Sequence, residues 1–253
     1  MLKQLLLDIG NTRIKWILME GENMLAGGQW IHGAESGLSL IQIAPNEAPG
    51  QIVVSNVAGS DIKQQVIDWA HKTYSLPVHF VVASSEDYGI KNAYDVPEDL
   101  GSDRWLTLIA SHSLYQSNSC VIDAGSAITI DLLTANGQHL GGYILPGFTS
   151  LKKALSRDTS LNQEGAGLSR SAERQPGKST RNCIDNGALV AICNTIEDVV
   201  DNFEKQMHEK IQCIVTGGDG TRLSDKLHHP HLLEPALVLK GMAIVGNRLA
   251  QTL

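Results

Sequence analysis

The sequence predicts an α/β protein made of two similar halves. Three observations carry this reading. Apolar runs of strand length alternate with segments in helical period. One strand–turn–strand pattern occurs twice, nearly half the chain apart. Both copies place Asp-x-Gly at the turn. The chain has 253 residues, enough for one large domain or two of ordinary size.

In chain order, Leu5-Leu6-Leu7 and Ile14 to Leu18 read as strands, and "QIVVSNV" (Gln51 to Val57) as another. A helical pattern runs from Asp61 to Lys72, followed by a strand in "VHFVVA" (Val78 to Ala83). Trp105 to Tyr115 is expected to be a helix, because Leu106, Ile109 and Ala110 fall at helical spacing. Strands are expected at Cys120 to Asp123, Ile128 to Leu133 and Gly142 to Leu145. From Ser156 to Ser179 the chain is polar and rich in Gly and Ser, and a mobile loop is expected, since little apolar surface is there to offset ordering. A long helix follows, with Ile192, Ile196, Val199, Phe203 and Met207 stepping by three or four along one face. "QCIVTGGDG" (Gln212 to Gly220) is a strand entering a glycine turn, and a last helix runs from about Pro235 to Leu253.

The repeat matches "LLLDIGNTRIKWIL" (Leu5 to Leu18) with "CVIDAGSAITIDLL" (Cys120 to Leu133). Its length far exceeds that of solenoid repeats, so it implies two similar domains, residues 1–117 and 118–253. Gly10 and Gly125 leave room for a ligand against the main chain. Turn amides and the hydroxyls of Thr12 and Ser126 can then point at phosphate oxygens, with Lys15 adding positive charge. Asp8 and Asp123 can hold a cation that neutralises those phosphates. GxxxxGK[ST] is absent, so this is not a Walker A loop, and each turn leads into a strand where a dinucleotide fingerprint would lead into a helix. One such turn reads as a plain hairpin. Two at equivalent places, facing one cleft, are the plan of the duplicated actin/hexokinase/Hsp70-like ATPase fold: two similar domains with an ATP cleft between them.

Several function classes fall away. Aromatics are 5 % of the chain and the formal charge is −7, without a Lys/Arg run, so no nucleic-acid partner is expected. No apolar stretch approaches a membrane span. Met1-Leu2-Lys3-Gln4 opens no basic-then-apolar leader, and a cytoplasmic location is expected. The four cysteines lack CxxC spacing and read as thiols of a reducing compartment, Cys120 and Cys213 as core. "HHPH" (His228 to His231) reads as solvated surface rather than a metal site. HExxH and GxSxG are both absent.

The motifs in order resemble the type III pantothenate kinase family, which includes proteins described as Baf-type transcriptional accessory factors. The resemblance rests on Asp8-Ile9-Gly10-Asn11-Thr12 through Lys15, "YDVPEDLGSDR" (Tyr94 to Arg104), Asp123-Ala124-Gly125-Ser126-Ala127, "GGYILPG" (Gly141 to Gly147), Thr180 ahead of the long helix, and "TGGDG" (Thr216 to Gly220). Ser126 stands where members commonly carry Thr, which keeps the hydroxyl. The resemblance implies phosphorylation of pantothenate by ATP to 4'-phosphopantothenate, the first step of coenzyme A biosynthesis. It implies a homodimer with the substrate site near its interface, Mg²⁺ with ATP, and a requirement for K⁺ or NH₄⁺. It assigns Asp103 as general base and Asp123 as ligand of the monovalent cation. Tyr94, Gly101, Ser102, Arg104 and Thr180 become pantothenate contacts, and Asp8, Gly10, Asn11, Thr12, Arg13, Lys15, Gly125 and Ser126 contacts of ATP.

Physical chemistry agrees with the first role. A primary alcohol is a weak nucleophile and gains from a carboxylate placed to take its proton. Asp103 also suits a helix N-cap, Arg104 a solvent-facing surface, Tyr94 half-buried packing, and Thr180 with Ser179 a helix cap. Two rivals stay open: another small-molecule kinase of the same fold, such as a sugar kinase, and an ATP-binding regulatory protein.

Overall fold

The computed structural model describes residues 2–31, 47–158 and 168–251. The first half forms a five-stranded sheet from β1 (Lys3–Ile9), β2 (Arg13–Glu20), β3 (Asn23–Ile31), β4 (Gln51–Asn56) and β5 (Val78–Phe80), in the order β3-β2-β1-β4-β5. β1 pairs antiparallel with β2 and parallel with β4. Helix α1 (Ser60–Tyr74) connects β4 to β5. Two short strands, β6 (Glu86–Asp87) and β7 (Ile90–Lys91), precede α2 (Ser102–Tyr115).

The second half repeats the plan. β8 (Ser119–Ala124), β9 (Ala127–Leu133), β10 (His139–Pro146), β11 (Gln212–Thr216) and β12 (Leu232–Leu233) form a sheet of order β10-β9-β8-β11-β12. Position for position this is the order of the first sheet. Helices α3 (Phe148–Asp158) and α4 (Thr180–Met207) lie between β10 and β11, α5 (Gly220–Ser224) follows β11, and α6 (Leu237–Ala250) ends the described chain.

The run of leucines at the start of the chain is buried because β1 is covered on both faces. Leu5, Leu7 and Ile9 join Ile52, Val54 and the α1 residues Val66 and Ala70 in one core. On the other side, α6 packs on β1 and β4. There Gln4 Nε2 donates to Asn247 Oδ1 at 2.7 Å, and Gln51 Nε2 to the Gly246 carbonyl at 3.3 Å. In the second half, Cys120, Ile122, Ala124, Cys213 and Val215 pack against Leu189, Ile192, Cys193, Ile196, Val200 and Phe203 of α4. The expected face of the long helix is therefore the face that packs, with Val199 and Met207 at its margin.

Four differences from the sequence reading have physical reasons. Strand β3 escaped it because Gly27-Gly28 breaks the alternation, yet those glycines make room for β2: a Cβ on Gly28 would lie 2.8 Å from Trp16 Nε1. Helix α2 begins at Ser102, three residues before the expected start, so Asp103 lies inside its first turn. The polar stretch from Ser156 is not one mobile loop. α3 runs through Asp158, residues 159–167 lie outside the described residues, and the rest packs through Leu168 and Ala172, both in the core. Finally, the compact units are not one cut at 117/118. One holds Met1–Asp87, Tyr94–Ala110 and Leu237–Leu253, and the other Tyr88–Ala93 and Ser111–Ala236. The apolar face of α6 shows that it is buried but not on which sheet.

Candidate active site

The two Asp-x-Gly turns sit where the strand pattern placed them, with different fittings. In the first, Ile9 pairs with Ile14, and in the second Ala124 pairs with Ile128, so the first turn is one residue longer. An ungapped match of the two repeats therefore slips by one residue beyond the turn. The Gly10 amide donates to the Arg13 carbonyl at 3.0 Å, and the Gly125 amide to the Ala127 carbonyl at 2.9 Å. Both amides thus close their own hairpins. Asn11, Thr12 and Arg13 are exposed at the first turn, as Ser126 is at the second.

Asp8 pairs with Lys15 on β2 and with Ser55 on β4. Residues facing each other across neighbouring strands share a sheet face, so these three side chains lie on one side. Ser55 Oγ is 3.0 Å from Ser102 Oγ in a buried contact. That bond ties the N-terminus of α2 to the strand beside Asp8. Ser55 was not singled out in the sequence, where nothing marks a serine inside an apolar strand as special.

At the N-terminus of α2, Asp103 Oδ1 accepts from the Arg104 amide at 2.8 Å. A Cβ on Gly101 would lie 2.6 Å from that oxygen, so the glycine makes room for the folded-back carboxylate. Arg104 does not face solvent: it is 6 % exposed. Its Nη1 donates to the Tyr94 hydroxyl at 2.6 Å, and its guanidinium carbon lies 5.5 Å from the Tyr94 ring centroid. Tyr94, Gly101, Ser102, Asp103 and Arg104 therefore form one constellation at the start of one helix. Burial of an arginine headgroup is costly unless it is well bonded, which fits a site more than a surface position.

In the second half, Asp123 pairs with Thr129 and with Thr216. The "TGGDG" turn closes over it. Gly217 has φ +93, and a Cβ there would collide with Asp123 Oδ1 and the Ala124 carbonyl. The Asp219 amide donates to the Ala124 carbonyl at 2.8 Å. From the other side, the Gly147 amide and Ser150 Oγ each donate to the Ser126 carbonyl at 3.2 Å. Gly147 precedes α3, and a Cβ on it would collide with the Gly125 and Ser126 carbonyls. At the head of α4, Ser179 is the cap and accepts from the Asn182 amide at 3.2 Å, which leaves Thr180 exposed at the first helical position.

Two buried features escaped the sequence reading. Lys152 of α3 and Asp185 of α4 form an ion pair at 3.1 Å with both side chains under a tenth exposed. Within amphipathic helices neither residue stands out, and only the packing shows that they meet. His139 Nε2 lies 3.1 Å from Asp131 Oδ1, both fully buried, and the Ala93 amide donates to His139 Nδ1. Burial pushes Cys193 up to about 11 and Cys213 up to about 12. Burial also pushes the Cys120 thiol well above its usual range, so the buried thiols are held protonated at neutral pH.

Comparison with known proteins decides the family. The type III pantothenate kinase family matches residues 4–202. The chain belongs to the type III pantothenate kinase family. A type III pantothenate kinase from Nitrosococcus oceani is 34 % identical over 254 residues, covering 96 % of this chain and 93 % of the relative. Among solved structures, a conserved Baf family protein from Campylobacter jejuni superposes with TM-score 0.63 at 24 % identity, over 98 % of this chain and 99 % of that one. A Listeria monocytogenes protein described as an N-acetylmannosamine kinase superposes with TM-score 0.58 at 14 % identity, over 98 % and 99 %. At such identities the likeness concerns the fold: two mixed sheets of one strand order, as in actin- and hexokinase-like ATPases.

Proposed function

We propose that this pantothenate kinase family member transfers the γ-phosphoryl group of ATP to the primary hydroxyl of pantothenate, giving 4'-phosphopantothenate and ADP at the entry to coenzyme A biosynthesis. The observation that carries the reading is the α2 constellation, where Asp103 is followed by a buried Arg104 bonded to Tyr94.

Asp103 accepts the hydroxyl proton as the oxygen attacks phosphorus. Arg104 offers its fork to the pantothenate carboxylate, with Tyr94 fixing the guanidinium plane. Gly101, Ser102 and Thr180 complete the pantothenate contacts. Asn11, Thr12, Arg13 and Lys15 at the first turn, with Ser126 at the second, contact the phosphates, and Gly10 and Gly125 let them approach. Asp8 would hold Mg²⁺ with ATP. The Asp123 carboxylate and the Ala124 carbonyl both line the Gly217 turn, hard oxygens of the kind that suits K⁺ or hydrogen-bonding NH₄⁺. Such an ion supplies fixed positive charge beside the phosphates.

A homodimer is supported by β10, an edge strand that exposes Tyr143 and Ile144. Among the described residues no helix is long and apolar enough to cross a membrane, in keeping with a cytoplasmic enzyme. Purified protein with Mg·ATP, assayed for ADP release with pantothenate or with hexoses, tests the function. Release dependent on pantothenate alone is expected. Release with a hexose only, or none with either, overturns the reading.

A further inference from the structure

The "HHPH" segment exposes His228 and Pro230, as its sequence suggests, but it is anchored and holds His229 and His231 partly buried. The His228 amide donates to Glu197 Oε1 at 2.8 Å, which pins the segment to α4. His231 is held at both ring nitrogens, by the His229 carbonyl at 2.7 Å and by Ser224 Oγ at 2.6 Å. His229 is thereby fixed with only 11 % of its side chain exposed, beside Glu204 at 10 %. Its Nδ1 lies 2.8 Å from the Pro230 carbonyl. A carbonyl only accepts, so Nδ1 carries the proton of the neutral ring, and Nε2 bears a lone pair. That Nε2 is buried and has no hydrogen-bond partner, although Glu204 Oε1 is 3.3 Å away.

Two lone pairs at that distance repel unless positive charge lies between them. Asp201 stands three residues before Glu204 on α4, on the same helical face. One ligand atom from each of Asp201, Glu204 and His229 lies within 4.8 Å of the others. An imidazole whose far nitrogen donates to a carbonyl is oriented as metal-binding histidines are. One nitrogen and two carboxylates with an open side suit a borderline divalent ion, and the nitrogen disfavours Mg²⁺.

We propose that Asp201, Glu204 and His229 bind one divalent transition-metal ion of the Zn²⁺ class, pinning the C-terminal end of α4 to the loop after α5. The site lies apart from the Asp123 turn in sequence and shares no residue with it. Lys210 competes for it: its Nζ sits 2.6 Å from Glu204 Oε2 while 87 % exposed, so the ammonium is free to swing away.

The test is calorimetric titration of Zn²⁺, and separately of Mg²⁺, into chelator-stripped full-length protein. One Zn²⁺ per chain is expected, with Mg²⁺ failing to compete. Glu204→Gln and His229→Ala should each weaken binding by about tenfold or more, since even outer-shell partners are worth about 10–100-fold. His228→Ala should leave it unchanged, and Lys210→Ala should tighten it. If His229→Ala fails to fold, Asp201→Asn at its exposed position carries the test and should also weaken binding. Absence of saturable Zn²⁺ binding, or binding that survives loss of these side chains, overturns the proposal and leaves His229 as an imidazolium partner of Glu204.

Discussion

The two halves share one strand order and one turn motif, yet they hold that motif differently. At the first turn Gly10 lacks positive φ, and a Cβ on it would sit 3.5 Å from the Arg13 carbonyl, an ordinary contact. The exposed Asn11 and Thr12 follow on a longer hairpin. The second turn is clamped between Gly147 and Gly217, where a Cβ would strike backbone or carboxylate. After β4, the corresponding connection is held by Asn56, which accepts from the Ala58 amide and donates to the Gly59 carbonyl. A duplicated hairpin is thus open and exposed in one half and clamped around Asp123 in the other. Rigid framing would suit the cation-holding role proposed for Asp123.

The sharpest break of this comparison is Asp103→Asn, in the half that holds the proposed general base. It keeps size and hydrogen bonding but cannot take the proton, and kcat should fall by about 10²–10⁴-fold. ATP affinity by calorimetry should change little. Near-normal turnover of the folded variant would remove Asp103 from the mechanism.

Next comes the framed carboxylate. At constant ionic strength, to exclude general screening, the rate should rise saturably with K⁺ and be poorly supported by Na⁺. Asp123→Ala should abolish that response, whereas Asp8→Ala should chiefly raise the Mg·ATP requirement. Equal rates in NH₄⁺-free K⁺ and Na⁺ would return Asp123 to a plain turn residue.

The glycines separate fold from function. Gly217→Ala forces a side chain into positive φ, worth about 1–3 kcal/mol of strain, and adds the collision with Asp123. Its melting temperature should drop together with activity. Gly10→Ala should melt as the parent does and still lose ATP affinity by about tenfold, or about 1.4 kcal/mol. Equal stability losses at both glycines would erase the distinction between the turns.

The smallest effect concerns the segment of the second half between its third strand and its long helix. Arg174 hydrogen-bonds Glu197 at 2.6 Å and holds that carboxyl below the usual range against the opposing cost of desolvation, with help from the His228 amide. A lowered folded-state pKa means stability that is present above the unfolded value, about 4.3, and lost as pH falls through the folded one. Arg174→Ala should therefore destabilise the protein at neutral pH and flatten its acid dependence below pH ~4.3. Parallel melting-temperature curves for parent and variant between pH 3 and 7 would show that the pair adds nothing.

The sequence by itself determined the repeated Asp-x-Gly turns, the apolar strands around them and the packing face of α4, because all of these are local patterns of period two or 3.6. It placed Asp103, Arg104 and Tyr94 within one short stretch. Only the tertiary structure decided that Arg104 is buried against Tyr94, that Ser55 ties α2 to the strand beside Asp8, and that Gly147 and Gly217 close on the Asp123 turn. It also decided that α6 packs on β1 and β4 at the far end of the chain. Periodicity tells a side chain whether to be buried but not against what. Partners distant in sequence are chosen by shape and hydrogen bonding once the sheets have formed, as when Gly27-Gly28, a breaker in the one-dimensional pattern, becomes the space that Trp16 fills.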